Sequence, residues 1–255
     1  MTEQPSPQAR ATRVIAHRGA SHEHPEHTMA AYRQAIDDGA DALECDVRLT
    51  ADHRLVCVHD RRVERTSDGR GVVSEMTYEE LRALDFGAWK GPGHAGAGVL
   101  LFEDLLKEAL AAPYPVGLAV ETKHPTRAGG RLEAELVRLL EEYGLADGGA
   151  GRVEVMSFSR SALTRMHRLA PGLPAVYLIE RRIRPPRPPY ATHAGPGIEL
   201  VRQDPALVGR LKAKGLRVRV WTVDEPEDVE LCVRLGVDTL ITNRPRDVRK
   251  LLLDM

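Results

Sequence analysis

Two carboxylates, Glu44 and Asp46, stand one residue apart inside the apolar run ALECDV. Side chains alternate across a strand, so both face one side while Cys45 faces the other. The spacing recurs in VETKH, where Glu121 and Lys123 share a face near the end of another run, and AHRG puts His17 and Arg18 at the end of a third. LVCVHD closes a fourth on His59 and Asp60. Three carboxylates drawn together repel and resist desolvation, so they need a counter-charge to stay ionised. A hard divalent cation supplies one. An oxygen-only set of Glu44, Asp46 and Glu121 favours Mg²⁺ or Ca²⁺ over zinc. The bland alternative, a buried salt-bridge network, suits one isolated acid pair better than a pattern that recurs at Glu121.

These groups meet only if several strand ends converge. After a polar tail (1–12), short β-branched runs alternate with helical patterns, the signature of a parallel sheet built from βα units. The expected strands are VIAH (14–17), ALECDV (42–47), VGLAVET (116–122), VEVMSF (153–158), AVYLI (175–179), GIEL (197–200), RVRVW (217–221) and DTLIT (238–242). Eight in this order, in a chain of 255 residues, predict an α/β fold closed as a (β/α)8 TIM barrel, one domain over 13–255. Its active sites lie at the C-terminal strand ends, where the acids fall. LVCVHD (55–60) becomes a hairpin extension outside the ring, and residues 61–98, rich in glycine and charge, a small insertion at the mouth.

With 36 basic against 37 acidic residues and a formal net charge of -1, the chain offers no footprint for nucleic acid and no polybasic membrane anchor. A small-molecule partner is expected. The start lacks a signal-peptide pattern and no apolar run is long enough to span a bilayer, so the expected location is cytoplasmic. Cys45, Cys57 and Cys232 have no metal-ligand spacing and read as buried free thiols. RRIRPPRPPY (181–190) reads as a proline-stiffened loop, and the histidines of SHEHPEH (21–27) as solvated surface rather than metal ligands.

AHRGASHEHPEHTMAAYRQAIDDGADALECDVRLTADHRLVCVHD resembles the signature of the glycerophosphodiester phosphodiesterase family: HRG, then PENT, then GAD-x-x-E-x-D-V-x-x-T-x-D-G, ending in HD. The likeness continues through LAVETKHP, VMSF and VWTVDEPEDVELCVRLGVDTLITNRP. It implies a (β/α)8 barrel that hydrolyses glycerophosphodiesters to glycerol 3-phosphate and an alcohol. Glu44, Asp46 and Glu121 would hold one divalent metal, His17 and His59 would be the acid/base pair, Arg18 and Lys123 would bind the phosphate, and Trp221 would line the pocket. Alternatives are lysophospholipase D-like hydrolysis of lysophospholipids and a non-catalytic barrel binding phosphorylated ligands. The sequence departs from the pattern at His27, where PENT has Asn, at His53, where the hairpin turn has Gly, and at Asp224, where WTVN has Asn. Finally, an inward Trp221 turns Arg219 inward too, and an unpaired buried arginine is costly. Pairing of Arg219 with a carboxylate such as Glu199 is expected.

Overall fold

The computed structural model describes residues 12–126, 129–180 and 190–255. The tail before Thr12 and nearly all of the proline-rich loop lie outside the described residues. The strands are β1 (Arg13–His17), β2 (Ala42–Leu49), β3 (Leu55–Cys57), β4 (Gly117–Thr122), β5 (Val153–Ser157), β6 (Ala175–Ile179), β7 (His193–Pro196), β8 (Arg217–Val220) and β9 (Thr239–Thr242). All but β3 pair in parallel in the order β1-β2-β4-β5-β6-β7-β8-β9, and β9 returns to β1, closing an eight-stranded barrel. β3 runs antiparallel to β2 outside the ring. The helices are α1 (Met29–Asp37), α2 (Tyr78–Arg82), α3 (Phe102–Ala111), α4 (Arg131–Glu142), α5 (Arg160–Leu169), α6 (Ile198–Gln203), α7 (Ala206–Lys212), α8 (Pro226–Arg234) and α9 (Pro245–Asp254).

Local chemistry sets the elements that carry the site. Thr28 caps α1 through its side chain, which accepts from the Ala31 N–H, and so fixes where the loop after β1 turns into helix. The alternation read from β2 is realised: Cys45 and Val47 join the core shared with the helices, while Glu44 and Asp46 point into the barrel. Ile15, Ala42, Ala119, Met156, Val176, Leu178 and Ile241 fill the interior beneath them. Residues 56–101 form a lobe with a small core of its own, in which Val63, Val73, Leu81 and Phe86 pack on Val56 and Val99. Cys45, Cys57 and Cys232 are buried free thiols.

GIEL is not a strand. Ile198 begins α6, and the seventh strand is His193–Pro196, whose HAGP sequence has no β-branched residue to announce it. Its place follows from pairing with β6 and β8. A small residue is needed there, because a Cβ on Gly195 would lie 2.7 Å from Leu178 Cδ2.

Arg219 does point inward, 5 % exposed, but its carboxylate is Glu154 rather than Glu199. Glu199 sits on α6, exposed, and pairs with Arg202. Glu154 projects inward from β5, with two strands, β6 and β7, between it and β8, so the ion pair crosses the barrel interior; Thr239 Oγ1 takes a second bond from the guanidinium at 3.0 Å. Removing the carboxylate strands a buried cation. Glu154→Ala is expected to lower unfolding stability by about 3–5 kcal/mol, read by chemical denaturation, whereas an exposed pair such as Arg202–Glu199 should contribute under about 1 kcal/mol. A Glu154→Ala protein as stable as the parent would show that the pair contributes nothing.

Candidate active site

The carboxyl ends of β1, β2 and β4, with the loop after β3, bring the chemistry together. Arg18 adopts a left-handed backbone, φ 58°, an uncommon conformation for a side-chain-bearing residue, and this aims its N–H at Glu44 Oε2, 3.0 Å away. Gly19 continues the turn against α1, where a Cβ would lie 2.7 Å from Ala31.

Glu44, Asp46 and Glu121 are buried, and one oxygen from each lies within 4.8 Å of the others. Burial, followed by the neighbouring Asp46 charge, pushes the carboxyl of Glu44 well above the ordinary range and that of Glu121 up to about 8. Asp46 behaves oppositely. Burial opposes its ionisation, but Lys123, His27 and Arg18 together hold it well below the ordinary range. Its Oδ2 lies 3.1 Å from Arg18 Nε and 2.8 Å from His27 Nε2, and Lys123 Nζ is 3.3 Å from Oδ1 and 2.9 Å from Glu121. Asp46 Oδ1 is buried without a hydrogen-bond partner. Three hard oxygen donors, two of them reluctant to ionise together and the third with an oxygen that no hydrogen bond satisfies, fit a divalent cation.

The two histidines are held alike. Asn243 Nδ2 donates to Asp224 at 2.6 Å, which orients the amide so that its Oδ1 accepts from His17 Nδ1 at 2.8 Å. His17 Nε2 is left without a proton, 4.0 Å from Glu44. Burial, then Arg18, lowers this ring to about 3. His59 Nδ1 donates to Asp60 at 2.8 Å, leaving its Nε2 bare as well. Burial and the Arg18 and Lys123 charges lower His59 against the pull of Asp46 and Asp60. Asp60 binds Arg65, Arg65 binds Glu26, and Glu26 binds Arg18, so one chain of ion pairs ties the loop after β1 to the loop after β3.

Seven of the eight expected site residues, His17, Arg18, Glu44, His59, Glu121, Lys123 and Trp221, line one cavity of about 320 Å³. The eighth, Asp46, is 1 % exposed and lies behind Arg18 and Lys123. The opposite wall is Met156, Phe158, Leu178, Trp221 and Ile241, with Glu180. Trp221 is fixed by its Nε1–H to Gly195 O at 2.7 Å and by an edge-on contact with Phe158.

Sequence reasoning missed Glu26, Asp60, Arg65 and Asn243, whose roles lie in pairing between loops. It also misplaced His27, which is buried rather than solvated. His27 sits at φ 61°, where Asn and His are both tolerated, and its ring bridges Asp46 and the Tyr32 hydroxyl at 2.8 Å each. His53 likewise takes φ 63° in the hairpin turn. Asp224 binds Thr242, the Asn243 N–H and the Asn243 side chain, so this departure from the signature still supports His17.

A barrel mouth with buried acids, two cations and two bare imidazoles suits an anionic substrate, and comparison with known proteins narrows the class to the phosphodiesterases. Residues 17–247 match the glycerophosphoryl diester phosphodiesterase family, and the chain belongs to it. A probable glycerophosphodiester phosphodiesterase of Mycobacterium tuberculosis is 42% identical over 94% of this chain and 92% of that protein. A glycerophosphodiester phosphodiesterase of Caldanaerobacter subterraneus is 32% identical over 94% and 98%. A crystal structure from Silicibacter pomeroyi, 28% identical, superposes with a TM-score of 0.83 over 99% of this chain and 96% of that one.

Proposed function

We propose that this barrel, one domain over 13–255, hydrolyses glycerophosphodiesters to glycerol 3-phosphate and an alcohol, with a divalent cation and two histidines. One observation carries the reading: the cavity gathers the carboxyls of Glu44 and Glu121, the cations of Arg18 and Lys123 and the imidazoles of His17 and His59 on a single wall. Glu44, Asp46 and Glu121 would hold Mg²⁺ or Ca²⁺, which when bound supplies Lewis-acid polarisation of the phosphoryl oxygen. Arg18 and Lys123 bind the non-bridging oxygens and offset the charge that builds on them. The apolar wall around Trp221 takes the carbon skeleton of one substituent.

His17, kept unprotonated by burial and Arg18, accepts the proton of the attacking hydroxyl at Nε2. His59 donates from Nε2 to the departing alkoxide. Its free ring resists protonation because of burial, Arg18 and Lys123; a bound phosphodiester anion offsets those two charges and lets His59 carry the proton it must give. A module that only binds phosphate has no use for two imidazoles whose Nδ1 atoms are tied back. A cavity of about 320 Å³ matches a glycerol-sized group better than the acyl chain of a lysophospholipid. Among the described residues no helix is long and apolar enough to cross a membrane; the three free thiols support a reducing, cytoplasmic setting.

The test is release of glycerol 3-phosphate from glycerophosphocholine and glycerophosphoethanolamine by metal-stripped protein, with and without Mg²⁺ or Ca²⁺. Release only with a cation is expected. No release from either diester with either cation would remove the reading.

A further inference from the structure

Beside the cavity just described lies a second, of about 200 Å³, that shares Lys123 with it and is otherwise lined by Arg48, Arg61, Ser74, Pro125, Thr126 and apolar neighbours. The reaction proposed above uses neither arginine. Arg48 projects from the mouth end of β2, two residues beyond Asp46, and both its Nε and Nη2 donate to the His59 carbonyl, at 3.0 and 2.7 Å. That grip fixes the guanidinium in one plane. No carboxylate lies within ion-pairing distance of Arg48 or Arg61 among the described residues, although the adjacent Arg62 is paired with Glu64 and Arg65 with Glu26 and Asp60.

Two guanidiniums with no ion-pair partner among the described residues face one hollow, with an ammonium on its edge, and form a concave site for an anion. Planar N–H pairs match the oxygens of a phosphate. Lys123 touches both cavities, so a group held in the second can be joined through a short chain to a phosphodiester held in the first.

We propose that this second cavity binds a terminal phosphate carried on the leaving alcohol, and that the preferred diesters are those whose released alcohol is itself phosphorylated. The inference rests on the phosphodiesterase reading and extends it to the substrate class. A reaction that produces such diesters, by removing both acyl chains from a phosphorylated glycerophospholipid, would have to stand upstream.

The experiment compares glycerophosphoglycerol with its counterpart bearing a terminal phosphate on the second glycerol, at fixed ionic strength. The phosphorylated diester is expected to show kcat/KM about tenfold higher or more, the scale of one or two charge-assisted hydrogen bonds. Arg61→Ser should remove most of that gain while leaving glycerophosphoglycerol unchanged. Arg62→Ser, which alters the same net charge at a paired neighbour, should leave the gain intact. Equal kcat/KM for the two diesters, or an Arg62→Ser effect as large as that of Arg61→Ser, would overturn the proposal while the phosphodiesterase reading stands. Should neither diester be cleaved, nor glycerophosphocholine or glycerophosphoethanolamine, that reading fails; whenever neither of the pair is cleaved, calorimetric titration with the same pair judges the cavity alone. Tighter binding of the phosphorylated diester, lost in Arg61→Ser, supports the site, and equal binding overturns it.

Discussion

Replacing His59 with alanine is expected to lower kcat on glycerophosphocholine about a hundred- to ten-thousandfold, the usual worth of a positioned general acid. The fold should survive, because the ring is partly exposed and its loop stays tied by Asp60, Arg65 and Glu26. The loss should largely vanish on a diester whose leaving group is an activated phenol, since a weakly basic phenolate departs without a proton. The pH profile has a defined sign. A general acid must be protonated, so wild-type kcat falls as pH rises through the pKa of His59 in the complex. In the free enzyme that pKa lies below 6.5, held down by burial, Arg18 and Lys123. The bound anion offsets those cations, so the alkaline limb of kcat should lie at higher pH than that of kcat/KM. Equal losses on both leaving groups would take His59 out of the acid role.

Cation binding is the second large effect. Glu121 is pushed up to about 8 and Glu44 well above its usual range by burial and the Asp46 charge, so protons compete for these two carboxyls. A divalent cation must displace those protons. Affinity for Mg²⁺ or Ca²⁺ is therefore expected to rise with pH up to about 8, by up to roughly tenfold per pH unit for each proton released. Calorimetry in buffers of different ionisation enthalpy counts those protons without recourse to activity. Asp46→Asn removes the carboxylate that stays ionised, and with it the group that Arg18, His27 and Lys123 surround. It should weaken cation affinity at least tenfold, as removal of a ligand or its close partner does, and abolish turnover. A pH-independent affinity, or an Asp46→Asn protein that binds the cation as tightly as the parent, would refute this arrangement.

Much of the site was legible because it rests on alternation along single strands. Glu44 and Asp46 share a face whatever the rest of the chain does, and the run of β-branched segments with intervening helical patterns forces a parallel sheet long enough to close. From these two local facts the barrel, the acid cluster and the placement of His17 and Lys123 follow. The seventh strand escaped detection for the converse reason: HAGP has no intrinsic strand preference, and only the ladders of β6 and β8 make it extended.

What the tertiary structure decided are the contacts that join strands and loops distant in the chain. The partner of Arg219 depends on how β5 and β8 are staggered around the ring, a non-local quantity, so a plausible carboxylate on the wrong element was as readable as Glu154. The burial of His27 depends on how the loop after β1 folds back over Asp46. The bare Nε2 atoms depend on Asn243 and Asp60, which tie back the Nδ1 atoms of both histidines and fix their rings. Composition and order determined which groups this protein has and which face each takes; closure of the barrel determined which of them share a boundary with low-dielectric surroundings, and so which pair, which titrate and which stay open to substrate.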